Sequence, residues 1–286
     1  MTPSAACIAC GAREWAPLYR GLIRCSGCGF VRAAELPDPD ELARIYGAAY
    51  FQGEEYADYL GDRPAHAVNF SRRLQRIESV AGKIESLYEI GCAYGLWLDT
   101  ARAKGIRVAG IDISPEAVRH AAETLGLDAT VGAFEDARIA PGQFQAYCMW
   151  DTLEHLAHPE AHAAKIAKLL PWGGWLFLTT PDIGSRHARQ QGARWRMIHP
   201  PTHLQYFSRE TATRFLGRHG LRVAHVESTL VCRSLHGMLE GLKRFGAGPS
   251  RTGATVLSSL VPTAVSRRLR ISLDLGDIML VCARKG

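Results

Sequence analysis

The chain has 286 residues, of which 47% are hydrophobic and 22% charged, and it carries a formal charge of +6. That length accommodates one large domain plus a small appendage, and that composition excludes a disordered chain. No apolar run approaches the roughly 20 residues that span a bilayer. MTPSAACIAC also lacks the basic and apolar regions of a signal peptide, so a cytoplasmic location is expected.

Residues 1–35 read as a zinc ribbon. Cys7-x2-Cys10 is followed after fourteen residues by Cys25-x2-Cys28. Each CxxC can form a tight knuckle, with Gly11, Gly27 and Gly29 at the turns, and two knuckles supply four thiolates to a tetrahedral ion. Four cysteine ligands leave no open position, so Cys7, Cys10, Cys25 and Cys28 imply a structural zinc rather than a catalytic one. Cys92, Cys148, Cys232 and Cys282 fall on or beside expected strands and read as core residues.

Residues 36–85 read as a helical connector or lid. An aromatic-rich stretch (Tyr46, Tyr50, Phe51, Tyr56, Tyr59) precedes a helix, AHAVNFSRRLQRIESVAG. From residue 86 the pattern changes. SLYEIG, IRVAGIDI, DATVG, FQAYCMW and WLFLTT read as strands, alternating with the helical LWLDTARAKG, SPEAVRHAAETLG and PEAHAAKIAKLL. That rhythm predicts an α/β, doubly wound, mostly parallel sheet over residues 86–286. Ser114-Pro115 and His158-Pro159 start helices, with proline at the first helical position.

Glu89-Ile-Gly91-Cys-Ala-Tyr-Gly95 lies between a strand and a helix, where such sheets bind nucleoside cofactors. Asp112, twenty-one residues after Gly91, ends the second strand and can accept from both hydroxyls of a ribose. A dinucleotide fingerprint needs a middle glycine for approach to pyrophosphate; Ala93 stands there instead, which disfavours a nicotinamide oxidoreductase. S-adenosylmethionine has no phosphate and carries a sulfonium and an amino-acid tail, which suits an acid at Glu89.

Trp150-Asp151-x-x-Glu154-His155 ends the fourth strand beside this pocket. His155 suits proton transfer near neutrality, although Asp151 and Glu154 also fit a capping box that merely starts a helix. His199-Pro-Pro-Thr-His203 follows the fifth strand, and its prolines forbid a helical pair of zinc ligands. Tyr206 and Phe207 either line an apolar acceptor pocket or pack in the core. The Arg- and His-rich loop from Asp182 to Trp195 offers contacts to an anionic acceptor. Residues 232–272 read as a basic helical insertion. From Ser234 to Arg270 six cations face one acid, Glu240, either as a solvated face or as an arm for phosphates, nucleic acid or a membrane surface.

YEIGCAYG, GIDIS, VGAFEDA, FQAYCMWDTLEHLAHP, LLPWGGWLFLTTPD and HLQYFS together resemble class I S-adenosylmethionine-dependent methyltransferases of the small-molecule or sugar type. The ribbon, PDPDELARIYGAAYF and GDIMLVCARK also resemble members of that group; residues 232–272 do so least. The resemblance implies a Rossmann-like seven-stranded sheet with an antiparallel last strand, and S-adenosylmethionine as methyl donor. It places Gly91 and Gly95 at the methionine tail, Asp112 on the ribose, and Phe134 and Glu135 at the adenine. Cys92, Ile113 and Trp150 join that cofactor set. HLxYFS adds His203 to His155 and Asp151 as catalytic candidates.

The expected reaction is O- or N-methylation of a small metabolite or glycosyl acceptor. An RNA base methyltransferase is the alternative, but the absence of clustered Lys/Arg with aromatics argues against nucleic acid. A non-catalytic cofactor-binding module is a third reading, against which the retained Glu89, Asp112 and Glu135 stand.

Overall fold

A computed structural model describes residues 5–38, 41, 44, 59–245 and 248–286. The aromatic connector residues Tyr46, Tyr50, Phe51 and Tyr56 lie outside the described residues.

Three short strands open the chain: β1 (Trp15–Pro17), β2 (Leu22–Cys25) and β3 (Val31–Ala33). Helix α1 (Arg63–Ala81) leads to the alternating region. There β4 (Ser86–Ile90), α2 (Leu96–Arg102), β5 (Arg107–Asp112), α3 (Pro115–Arg119), β6 (Ala129–Val131), β7 (Ala146–Trp150), α4 (Pro159–Leu169) and β8 (Trp175–Pro181) follow in order. Next come α5 (Arg186–Gln191), β9 (Gln205–Tyr206), α6 (Arg209–Gly217) and β10 (Leu221–Ser228). An excursion of β11 (Val231–Ser234), α7 (Leu235–Phe245), α8 (Pro249–Leu260), α9 (Thr263–Arg268) and β12 (Arg270–Leu273) precedes the last strand, β13 (Ile278–Lys285).

The central sheet has seven strands in the order β10-β13-β8-β7-β4-β5-β6. β13 runs antiparallel to both neighbours, and the other pairings are parallel. Alternation along each strand sends side chains to opposite faces. Leu87, Cys148, Phe177 and Cys282 meet Phe70, Leu74 and Ile77 of α1 together with α2 and α3. Tyr88, Met149, Leu178 and Val281 meet α4 and α6 on the other side. The result is three layers with two continuous apolar interfaces.

The N-terminal ribbon is built into this body. β3 pairs with β9, giving a four-stranded sheet β1-β2-β3-β9. Phe30 packs on Phe207 with ring centroids 4.9 Å apart, and Cys7, Trp15 and Cys25 join the core cluster of α4 and α6. Tyr206 and Phe207 are thus core residues, and neither lines the cavity described below.

Candidate active site

The chain crosses the sheet between β4 and β7, the point at which doubly wound sheets open a crevice beyond their strand ends. A cavity of about 1730 Å3 lies there. Single-ligand pockets hold roughly 300–1000 Å3, so this one has room for a cofactor and an acceptor together.

Every parallel strand beside the crossing delivers residues to it. Glu89, Gly91 and Cys92 come from the end of β4, and Asp112 and Ile113 from β5. Phe134 and Glu135 follow β6, and Trp150 ends β7. Gly91 has φ 76°, and a Cβ there would stand 2.7 Å from Thr152 Oγ1, so only glycine fits the turn. Gly95 does not line the cavity: a Cβ on it would meet Leu127 Cδ1 at 2.6 Å, so its glycine serves the packing of α2 on neighbouring segments. Ala93 takes φ 44°, a left-handed conformation that a side chain disfavours.

Asp112 organises the turn. Its Oδ2 accepts from the Ala93 amide at 2.8 Å and its Oδ1 from the Ser114 amide at 2.9 Å. Burial raises its carboxyl above the usual range, and the amides oppose that rise. Glu89 is buried, and its Oε2 has no hydrogen-bond partner. Burial, with the neighbouring Asp112 charge, pushes its carboxyl well above the usual range. An orphaned buried carboxylate oxygen calls for a donor or cation. The ammonium tail of S-adenosylmethionine is such a group, and Asp112 retains lone pairs for a ribose. Lys165 Nζ donates to the carbonyls of Phe134 and Ala137 at 2.7 and 2.6 Å, pinning the turn expected at the adenine.

Asp151, His155 and His203 also line the cavity. The capping-box reading of Asp151 and Glu154 is corrected. Residues 153–155 form a short 3-10 turn whose N-cap, Thr152, makes no side-chain cap bond. Glu154 Oε2 instead accepts from Thr180 Oγ1 at 2.9 Å. Asp151, at φ 52°, accepts from Thr179 Oγ1 at 2.8 Å and pairs with Arg73 at 3.1 Å.

A turn through Pro200 and Pro201 brings three imidazoles together. The ring of His203 is centred 4.7 Å from that of His155 and 3.9 Å from that of His199. His155 Nδ1 donates to the Thr202 carbonyl and His203 Nδ1 to the Met197 carbonyl, each at 2.9 Å. A carbonyl can only accept, so each Nδ1 carries the proton and each Nε2 keeps a lone pair. Burial pushes His155 down to about 4, and burial with its histidine neighbours pushes His203 well below the ordinary range. Both are neutral at pH 7. Ligand atoms of Glu154, His155 and His203 lie within 4.8 Å of one another.

The loop from Asp182 to Trp195 does not face the cavity, contrary to expectation; it folds into α5 and a turn, and Arg196 just beyond it lines the wall, as do Arg73, Arg233, Lys243 and Arg244. Sequence reasoning missed the role of α1. Asp62, His66, Asn69 and Arg73 line the cavity at helical spacing, a polar stripe beside the buried Phe70, Leu74 and Ile77. Asn69 exchanges hydrogen bonds with the Cys232 backbone at 2.9 and 2.7 Å, tying this helix to β11.

In the ribbon, Cys7 and Cys28 sulfurs are 3.6 Å apart, as are those of Cys10 and Cys25, and all four lie within 4.8 Å of one another. A tetrahedral zinc with bonds of about 2.3 Å separates its sulfurs by about 3.8 Å. Backbone amides of Ala9 and Cys10 bear on the Cys7 sulfur, and that of Phe30 on Cys28. The donor set fits zinc.

Strand order, glycine turn and the acid ending β5 are those of the class I methyltransferase architecture. The methyltransferase-domain family profile matches residues 56–226, and the chain belongs to that family. Relatives named ubiquinone biosynthesis O-methyltransferase include one from Chromobacterium violaceum, 31% identical over 126 residues, covering 41% of this chain and 53% of the relative. One from Leptothrix cholodnii is 27% identical over 153 residues, covering 50% and 63%. The chain therefore spans between half and two thirds of the length of these curated relatives. Among solved structures, one from Bacillus halodurans C-125 superposes with a TM-score of 0.54 at 13% identity, covering 76% of this chain and 99% of that one. A SAM-dependent methyltransferase from Thermotoga maritima superposes at 0.50 and 16% identity, covering 78% and 92%. At such identities the likeness is one of fold.

Proposed function

We propose that this chain methylates a hydroxyl oxygen of a small-molecule acceptor, using S-adenosylmethionine. The observation that carries the proton-accepting role is the pair His155 and His203, each fixed by a backbone carbonyl so that Nε2 can only accept. The relatives' names, as O-methyltransferases, support the same reading.

S-adenosylmethionine, when bound, supplies a methyl group already activated on a sulfonium. The protein's part is alignment and proton removal. Glu89 receives the ammonium tail and Asp112 the ribose, while Phe134, Glu135, Ile113 and Trp150 enclose the base. Arg73 sits over the Trp150 ring at 5.0 Å, closing the cavity from the α1 side. The acceptor hydroxyl donates to an imidazole Nε2, which directs an oxygen lone pair away from its own proton. An ether oxygen that still carries that proton is a far stronger acid than an imidazolium, so even these weakly basic imidazoles suffice to take it. The charge formed is stabilised by Asp151, which raises the His155 proton affinity.

Cys7, Cys10, Cys25 and Cys28 are assigned a structural zinc by the same reasoning. Its knuckles hold β3 against β9, next to the loop that presents His203.

The test begins with calorimetry against S-adenosylmethionine and its demethylated product; no binding of either overturns the assignment. A panel of phenols and sugars then identifies an acceptor by methyl transfer. His203→Gln with His155→Gln should lower kcat/KM by about 10²–10⁴ and leave cofactor affinity within twofold. Undiminished turnover in the double variant removes the histidines from proton transfer.

A further inference from the structure

Between β10 and β13 the chain leaves the sheet. β11 and β12 pair antiparallel, and α7, α8 and α9 hang from that ribbon. Residues 230–275 are 46 of 286, yet among the described residues they hold ten of the fourteen large apolar side chains that stand exposed. On α8, Val256, Leu257 and Leu260 are 53%, 41% and 71% exposed, at helical spacing. Val265, Leu269, Ile271 and Leu273 continue the exposure through α9 and β12. Scattered leucines need no explanation, but a concentration of this kind marks an interaction surface.

The same segment is basic. Arg251, Arg267, Arg268 and Arg270 are exposed. Glu240 is engaged by Lys243 at 2.6 Å, and Asp274 by Ser228 Oγ at 2.9 Å and the Gly276 amide at 2.7 Å. From Ser234 to Arg270 the sequence carries six Lys and Arg side chains against one acid, so the apolar side chains are interleaved with a net positive charge.

The geometry points to this arm as a docking surface for an anionic lipid bilayer. Aliphatic side chains enter the boundary between headgroups and acyl chains, and the guanidiniums meet lipid phosphates. Single-stranded nucleic acid is gripped by stacking on aromatic rings, whereas the large apolar side chains exposed among the described residues of 230–275 are all aliphatic. A second copy of the chain would present the same positive charge and be repelled. The surface is continuous with the cavity: Leu242, Ile271, Leu273 and Leu275 are exposed and also line it. Docking therefore turns the cavity mouth toward the bilayer, where acceptors dissolved in lipid can enter.

The experiment is co-sedimentation of the full chain with vesicles of equal parts phosphatidylcholine and phosphatidylglycerol, against phosphatidylcholine alone. Binding to the anionic vesicles, weakened by salt, is expected. Each cation near an anionic surface is worth about fivefold in partitioning, so R267Q/R268Q/R270Q should lose about a hundredfold. V256S/L260S, at residues that do not line the cavity, should also weaken binding, while R267K/R268K/R270K should retain it. Melting curves confirm that each variant is folded. The proposal is overturned by no preference for anionic vesicles, or by unchanged binding in both the Gln and Ser variants. It is likewise overturned by light scattering that shows vesicle-independent self-association abolished by V256S/L260S, or by RNA that binds the arm more tightly than the vesicles.

Discussion

Asp112→Asn is the most informative single change at the proposed cofactor site, because one of the two duties assigned to Asp112 is internal to the turn and the other is not. One is internal: the carboxylate accepts from the amides of Ala93 and Ser114 at 2.8 and 2.9 Å. These use two of about four lone-pair sites, and Asp112 lines the cavity. The second duty is to meet the ribose hydroxyls there. Hydrogen bonds to a charged group contribute roughly 1.5–3 kcal/mol each, so two ribose contacts amount to about 3–6 kcal/mol. That is about 10²–10⁴ in dissociation constant. Asparagine keeps the volume but has one accepting oxygen. Its NH2 must oppose either the Ala93 or the Ser114 amide, leaving a buried donor unpaired at about 1–3 kcal/mol. Asp112→Asn should therefore weaken S-adenosylmethionine binding at least about a hundredfold and lower the melting temperature by about 2–4 °C per kcal/mol lost. Calorimetry with the cofactor and its demethylated product reads the first, and thermal unfolding without ligand reads the second. Affinity within threefold of the wild type would refute the ribose role, whatever happened to the melting temperature.

Metal analysis of the purified protein should find one zinc per chain, lost in Cys25→Ser. Structural zinc sites bind with on the order of 10 kcal/mol, and the ribbon shares the core of α4 and α6. Even partial loss should thus lower the melting temperature by roughly 10 °C; a wild type without bound metal refutes the site. His66 carries a pH signature. Burial lowers it to about 4 from 6.5, so between those values the unfolded chain binds a proton that the folded chain does not. Its contribution is complete above pH 6.5 and is lost as pH falls toward 4, by about 2 kcal/mol between pH 7 and 5. His66→Phe fits beside Tyr59 and Phe70 and does not titrate. Urea denaturation should show the variant gaining on the wild type by that amount at pH 5; a difference that does not change with pH sinks the argument.

Much of the fold was legible in the residues alone, for a local reason. β4 and β7 are buried on both faces, so AYCMW reads as an unbroken apolar run and SLYEI as one broken only by Ser86 and Glu89. Glycines and proline-led helix starts punctuate them. The proposed cofactor side of the site was legible because it is built from strand ends, where sequence order dictates place: Glu89, Asp112 and Trp150 lie at or one residue from a strand end, and Phe134 in the turn after β6. The CxxC pairs are local in the same sense. β10 escaped notice because only Leu221 in it is fully buried, and a half-exposed strand leaves no apolar run.

Tertiary structure alone decided the acceptor side. The polar stripe on α1 resembles any solvated helix face until β11 is placed against it through Asn69. His155 and His203 are 48 residues apart in sequence, and their shared tautomer depends on two carbonyls, of Thr202 and Met197, which no side-chain pattern announces. The same holds for Glu154, whose spacing suited a helix cap until Thr180 on the neighbouring strand claimed its oxygen. Strand ends are set by the chain's own periodicity, whereas these contacts are set by which segments the sheet order brings side by side.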